Sequence, residues 1–171
     1  MVAVPRGHGP TLFWVPQSRS VRLVLQRVSE AAVTIDDEVV AAIGPGFLVL
    51  VGVEPGDDAR DVGAAADKIA GLRLFADDAG LMNRSIREIG GEILVVSQFT
   101  LLGDARRGRR PSFIGAAGPE TAAPLIDALS RRLSENGVPT RTGRFGAKMA
   151  VSLVNDGPVT LVLEVRGGRV L

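Results

Sequence analysis

The chain reads as a single α+β domain. Two observations predict that class. Short runs rich in β-branched residues recur along it, bounded by Gly, Pro, Asp and Asn. Two stretches carry apolar residues at helical spacing. With 171 residues, 46% of them apolar, one domain with a substantial core is expected.

The elements follow in order. Residues 1–20 hold prolines at 5, 10 and 16 and lack periodicity, which predicts a flexible or loosely docked extension. Residues 21–28 form a β-rich run. Residues 31–35 and 39–43 flank Asp36-Asp37-Glu38, a hairpin turn. Gly44-Pro45-Gly46 breaks the chain before a buried-strand run over 47–53. Asp57 or Asp58 can cap a helix reaching about Phe75, whose Val62, Ala65, Ala66, Ile69 and Leu72 make one apolar stripe. Residues 93–98 read as a strand and 101–118 as a long arginine-rich loop. Pro119 opens a second helix and Gly137 closes it, with Ala122, Leu125, Ile126, Leu129 and Leu133 on one face. Strands over 140–144, 149–154 and 159–165 complete the domain, which spans 21–166 and leaves 167–171 as a short tail.

Composition narrows the chemistry. The chain has no cysteine, which removes disulfides, thiolate nucleophiles and Cys-based zinc sites and suits the cytoplasm. Its one histidine, His8, lies in the extension, so a Ser-His-Asp triad or a His-rich metal site is not expected in the domain. No metal and no cofactor are expected. The longest apolar stretches are too short to span a bilayer, and the run at 12–15 is shorter than a secretory core. Net charge is +1, yet Arg106, Arg107, Arg109 and Arg110 fall within five positions. Such a loop is either solvated charge or a phosphate-contacting surface.

Two strings then stand out. Ser97-Gln98-Phe99-Thr100 follows the β-rich run 93–96, and Asn155-Asp156-Gly157-Pro158-Val159-Thr160 follows 151–154. As residues, the first is an ordinary strand end and the second a turn. A Ser or Thr nucleophile needs a base, and none is evident nearby, so covalent catalysis at Thr100 is not the preferred reading. Backbone amides and hydroxyls acting as donors are the alternative. Arg27, by itself, reads as a surface arginine on a strand.

Together the two strings resemble the signature motifs of the D-aminoacyl-tRNA deacylases. The resemblance runs from about Val21 to Val165 and includes Leu25-Gln26-Arg27-Val28 and Arg110-Pro111-Ser112-Phe113. It implies a mostly antiparallel, partly closed sheet and a homodimer. It implies hydrolysis of the ester at the 3′ end of D-aminoacyl-tRNA. The Gly157-Pro158 bond would be cis, with its carbonyls lining the pocket of the partner subunit and Arg27 bracing them. Donors around Ser97, Gln98, Phe99 and Thr100 would hold the substrate's amino group, carbonyl and oxyanion, helped by the ribose 2′-OH. Phe113 would pack beneath the site or stack on adenine, and Met149 would line the pocket mouth. A backbone wall that excludes L-side chains has nothing to exclude in glycine, so glycyl-tRNA is an expected substrate. Two other readings compete. One is a non-catalytic dimeric nucleic-acid-binding protein on this scaffold. The other is a small-molecule or deaminating domain, which leaves the paired motifs unexplained.

Overall fold

The computed structural model describes residues 20–171. The expected extension, with His8, lies outside the described residues apart from Ser20, which is buried and donates its N–H to Glu54 Oε2 at 3.2 Å. The order of elements is β1 (Val21–Ile35), β2 (Glu38–Ile43), β3 (Gly46–Gly52), α1 (Ala59–Gly71), β4 (Arg73–Ala76), β5 (Met82–Ser85), β6 (Glu92–Ser97), a 3₁₀ turn (Phe99–Leu102), α2 (Pro119–Glu135), β7 (Thr140–Thr142), β8 (Ala150–Arg166) and β9 (Arg169–Val170). The domain is α+β, as the sequence predicts. Its seven-stranded sheet is mixed. The strand β1 pairs antiparallel with β2, β3 and β8, and β8 with β9, whereas β3–β6 and β6–β7 are parallel.

Each sheet face carries a buried core. Helices α1 and α2 cover one, over Leu23, Leu25, Phe47, Ile69, Ile93, Leu129 and their neighbours. The other face curls around a smaller core of Val28, Val33, Ile43, Leu48, Leu94 and Val96. The two parallel strands approach closely at Gly46, where a Cβ would lie 1.8 Å from the Glu92 carbonyl oxygen. Only glycine fits there, and it sets the register that carries Ser97 to the end of β6 opposite Val51.

Local chemistry accounts for the turns. Asp36 and Asp37 both adopt positive φ, 48° and 65°, which suits the tight β1–β2 hairpin. Asp58 caps α1 by accepting from Arg60 N–H at 2.8 Å, and Asp61 reciprocates by accepting from Asp58 N–H at 3.0 Å. Asp61 also accepts the Gly168 N–H at 2.8 Å, which ties the β8–β9 turn to the start of α1. Arg132 of α2 and Asn136, which follows its last residue, converge on Asp67 of α1 at 2.8 to 3.0 Å, so the helices are joined by a polar clasp above their apolar contact.

Several elements depart from the sequence reading, among them the expected tail 167–171, whose Arg169–Val170 pair with the end of β8 as β9. The strand β1 runs unbroken through Ser29 and Glu30, because β8 pairs along its length from Val21↔Val165 to Thr34↔Ala150. Helix α1 stops at Gly71 rather than near Phe75. Phe75 instead belongs to β4, part of a two-stranded sheet with β5, and packs on Phe47 with ring centroids 5.0 Å apart. Finally, residues 155–160 do not end a strand but continue inside β8.

Asp57, in the turn before α1, accepts the Glu54 N–H at 2.7 Å. Burial pushes its carboxyl up to about 6, and the neighbouring Asp61, Glu54 and Asp58 add to the effect. The folded protein therefore binds more protons than the unfolded chain, whose aspartates titrate near ~3.9. Stability contributed at this position falls as pH rises from about 4 to about 6, then levels off. Asp57→Asn keeps an acceptor for Glu54 N–H and removes the charge. Its stability relative to the parent, followed by urea unfolding, is expected to rise through that window and be flat above it. Parallel profiles would contradict the assignment.

Candidate active site

The cavity of interest, about 550 Å³, sits where the two cores meet at the ends of β3 and β6. That volume lies within the range of small-molecule sites. Val51, Val53, Ala122 and Ile126 line it from the helix-covered face, and Val96, Met149 and Val151 from the curled face. Ser97, Gln98, Phe99 and Phe113 form its polar and aromatic mouth, together with Phe145 and Gly146.

Three residues of the first string, Ser97, Gln98 and Phe99, are brought to this cavity by the parallel pairing of β3 and β6. Gln98 N–H donates to the Val51 carbonyl at 2.7 Å, which extends the ladder one step past β6. The chain then turns into the 3₁₀ segment, whose ladder begins with Leu101 N–H donating to the Gln98 carbonyl at 3.2 Å. The first amides of any such turn have no acceptor within it, so those of Phe99 and Thr100 open the segment. Gln98 Nε2 donates to Thr100 Oγ1. Thr100 itself is exposed and does not line the cavity, while Ser97 and Gln98 are half-buried and do. Phe99 meets Phe113 edge to face, with ring centroids 5.2 Å apart. Both rings remain substantially exposed. Met149 lies against Gly143, where a Cβ would fall 2.5 Å from its sulfur.

The second string is built differently from a turn. Gln26 pairs with Thr160 and Val28 with Asn155, so the four residues 156–159 stand against the single residue Arg27. This is a large bulge inside a continuous antiparallel pair. Two side chains, Asn155 and Arg27, close it. Asn155 Nδ2 donates to the carbonyls of Arg27 at 3.0 Å and Val159 at 3.1 Å. Arg27 Nε donates to the Asp156 carbonyl at 2.8 Å and pairs with its carboxylate at 3.1 Å. Arg27 Nη1 donates to the Leu74 carbonyl of β4, and the guanidinium lies 6.0 Å from the Phe75 ring centroid. The Gly157-Pro158 peptide is cis. The arginine thus reaches the carbonyl one residue before Gly157, and ties the bulge to the β4–β5 hairpin as well.

Gly157 and Pro158 are exposed, and neither they nor Arg27 lines the cavity of their own chain. One chain therefore does not bring the two strings together. Arg106, Arg107, Arg109 and Arg110 are also exposed, on a loop pinned at its base by the Asp104↔Ser112 bridge. Arg106 is committed to Asp104 through two bonds of 2.9 and 2.7 Å, which hold that carboxyl far below its ordinary range. Arg107, Arg109 and Arg110 form no ion pair among the described residues.

Arg22 was not singled out by sequence reasoning. Its Nη1 donates to the Leu101 carbonyl at 2.8 Å and its Nε to Glu164 at 3.0 Å, so it anchors the 3₁₀ segment to β1 and β8. A charged residue between Val21 and Leu23 was the available signal. Ala116 and Ala117 also line the cavity, held by Ala117 N–H donating to the Val53 carbonyl at 2.8 Å. Small residues in a loop carry no such signal.

The mixed-sheet α+β domain has counterparts among known proteins. The family described as D-Tyr-tRNA(Tyr) deacylase matches residues 24–164, and the chain belongs to that family. A protein named D-aminoacyl-tRNA deacylase from Roseiflexus sp. (strain RS-1) is 58% identical over 144 residues, covering 84% of this chain and 93% of the relative. One of the same name from Thermomicrobium roseum is 57% identical over 151 residues, covering 86% and 98%. Among solved structures, a c-Myc DNA unwinding element binding protein aligns with a TM-score of 0.76 and 36% identity, over 83% of this chain and 97% of the other. A probable eukaryotic D-amino acid tRNA deacylase aligns with a TM-score of 0.73 over 85% and 99%; at 18% identity it shows the shared fold.

The bulge makes a direct stability prediction. A Cβ at Gly157 would lie 2.1 Å from the Val159 nitrogen and 2.7 Å from Asn155 Oδ1. Neither can yield, since Asn155 already serves two carbonyls. Gly157→Ala is expected to cost about 1–3 kcal/mol in urea unfolding, the usual range for overpacking. A variant as stable as the parent would show that the bulge can rearrange.

Proposed function

We propose that this protein hydrolyses the ester of D-aminoacyl-tRNA, and of glycyl-tRNA mischarged on a non-cognate tRNA, in the cytoplasm. The single observation that carries the reading is the pairing of a donor-rimmed cavity with an exposed backbone bulge at the two strings the sequence singles out. Family membership and relatives named for this activity support it.

The working unit is a two-fold dimer. Among the described residues, the outer edge of β8 carries only the short β9 pairing near its end, and Leu153, Val154 and Val162 are exposed along it. A long open edge with apolar side chains favours a second copy. That copy would bring Gly157-Pro158 to a cavity the motif does not reach in its own chain.

In the reaction, water adds to the ester carbonyl carbon. The bond to the ribose 3′ oxygen breaks, and the proton from water passes to that oxygen, releasing D-amino acid and tRNA. Amides of Phe99 and Thr100 would hold the developing oxyanion, each such donor being worth ~2.7–4 kcal/mol. The 2′-OH of the terminal adenosine would relay the proton. Thr100 is not read as a nucleophile. Its hydroxyl takes the Gln98 amide as its partner, and an amide is not a base. Chirality would follow from exclusion, because a missing or extra methylene changes apolar binding by only ~1–3 kcal/mol, whereas main chain can bar every L-side chain. Phe113 and Phe145 would frame the adenosine, with Met149 deeper and the arginine loop on phosphates.

A second reading, a nucleic-acid-binding protein without catalysis, is favoured by one observation, the 36% identical structure of a DNA unwinding element binding protein. Assay of glycyl, D-alanyl and L-alanyl esters on one tRNA tests both. Hydrolysis of the first two with the third spared is expected. Loss of none would favour the second reading, and equal rates for glycyl and L-alanyl would contradict exclusion.

The mechanism makes a further prediction. Thr100→Ala should retain activity within about tenfold, since the amides remain, and a 2′-deoxy terminal adenosine should lower the rate far more. A trapped acyl-Thr100 would overturn this.

A further inference from the structure

We infer that Arg144 and Lys148 form a second cationic wall of the cavity, contacting backbone phosphates of the nucleotides that precede the terminal adenosine. The inference rests on the RNA ester reading above. Phe145, Gly146 and Ala147 line the cavity, and Arg144 and Lys148 bracket those three residues. The segment is a defined turn, with Ala147 N–H donating to the Arg144 carbonyl at 3.2 Å and Gly146 at φ 75°. It is fixed to the sheet on both sides. Gly143 N–H donates to the Val95 carbonyl at 3.0 Å, and Met149 packs with the curled-face core. Both cations are exposed, and neither forms an ion pair among the described residues. Arg141, by contrast, pairs with Glu92 at 3.7 Å, as Arg106 does with Asp104.

The same cavity is bordered by Phe113, on the loop that carries Arg107, Arg109 and Arg110. Cations unpaired among the described residues therefore stand on two loops that meet at one mouth, whose described lining carries no charged side chain. Charge at the rim of a neutral cavity suits a ligand with a neutral end and a polyanionic continuation. An aminoacylated nucleoside followed by phosphodiesters has that form. At physiological salt the Debye length is about 8 Å, so cations this local act on phosphates at the mouth rather than on the distant body of the RNA.

The test compares the parent with the double variant Arg144→Gln, Lys148→Gln. The substrates are D-aminoacyl-tRNA and D-aminoacyl-adenosine, which has no phosphate. The variant is expected to keep the parent's kcat/KM on the adenosine ester within about twofold, which also establishes that it folds. On the tRNA it should lose kcat/KM mainly through KM. The slope of log affinity against log salt should become shallower by about 1.4, from ~0.7 for each of two single-strand phosphate contacts. An unchanged salt slope, or equal losses on both esters, would overturn the inference. Failure of the parent to cleave either ester would instead sink the reading beneath it.

Discussion

Much of this structure depends on what Arg27 holds. One guanidinium joins three pieces of chain that are distant in sequence, namely β1 itself, the Asp156 carbonyl and carboxylate in the β8 bulge, and the Leu74 carbonyl of the hairpin. Four residues set against one would leave backbone groups without ladder partners. Arg27 and Asn155 supply those partners. A bond from a charged donor contributes ~1.5–3 kcal/mol, and its loss would also strand the carbonyls it serves. Lysine would not substitute. Its single nitrogen cannot reach two carbonyls from one planar fork while lying against Phe75.

The cavity rests on a separate constraint, the parallel pairing of β3 and β6. Close approach at Gly46 fixes that register, and the Val51 carbonyl then receives Gln98 N–H one step past the strand. The 3₁₀ segment begins there because the ladder has run out. Arg22 anchors its end from β1. The 3₁₀ segment and the backbone bulge are thus held by different strand pairs, β3–β6 and β1–β8, joined through the pairing of β1 with β3.

The legible parts of the sequence were those set by local chemistry. The Asp58 cap, the Asp36-Asp37 hairpin, Pro119 at the start of α2 and the positive φ of Gly137 after its end all follow from neighbours in the chain. The parts that were not legible are set by distant pairing. Ser29-Glu30 and Asn155-Asp156-Gly157-Pro158 carry turn or loop chemistry, yet the long β1–β8 pairing absorbs both. The apolar stripe of α1 carries on to Leu72, and nothing local announces that Phe75 is better buried on Phe47 as a strand residue. Ser97, Gln98, Phe99, Phe113 and Met149 do meet at one cavity. The motif match could not say that Arg106 is already occupied by Asp104.

Charge at the rim and neutrality within have a consequence for how selection is divided. Contacts to phosphates are the same whether the ester carries a D- or an L-residue. In the proposed reaction they act as uniform binding, lowering KM for both enantiomers and discriminating neither. Discrimination must then come wholly from the pocket, where apolar contacts alone offer too little. A barrier made of main chain has the needed property, since its position is fixed by Arg27 and Asn155 and does not depend on which side chain arrives. The arrangement therefore tolerates changes in the rim cations far better than changes in Gly157. In the proposed reaction the first would alter how strongly RNA is held. The second has no room even for a methyl group.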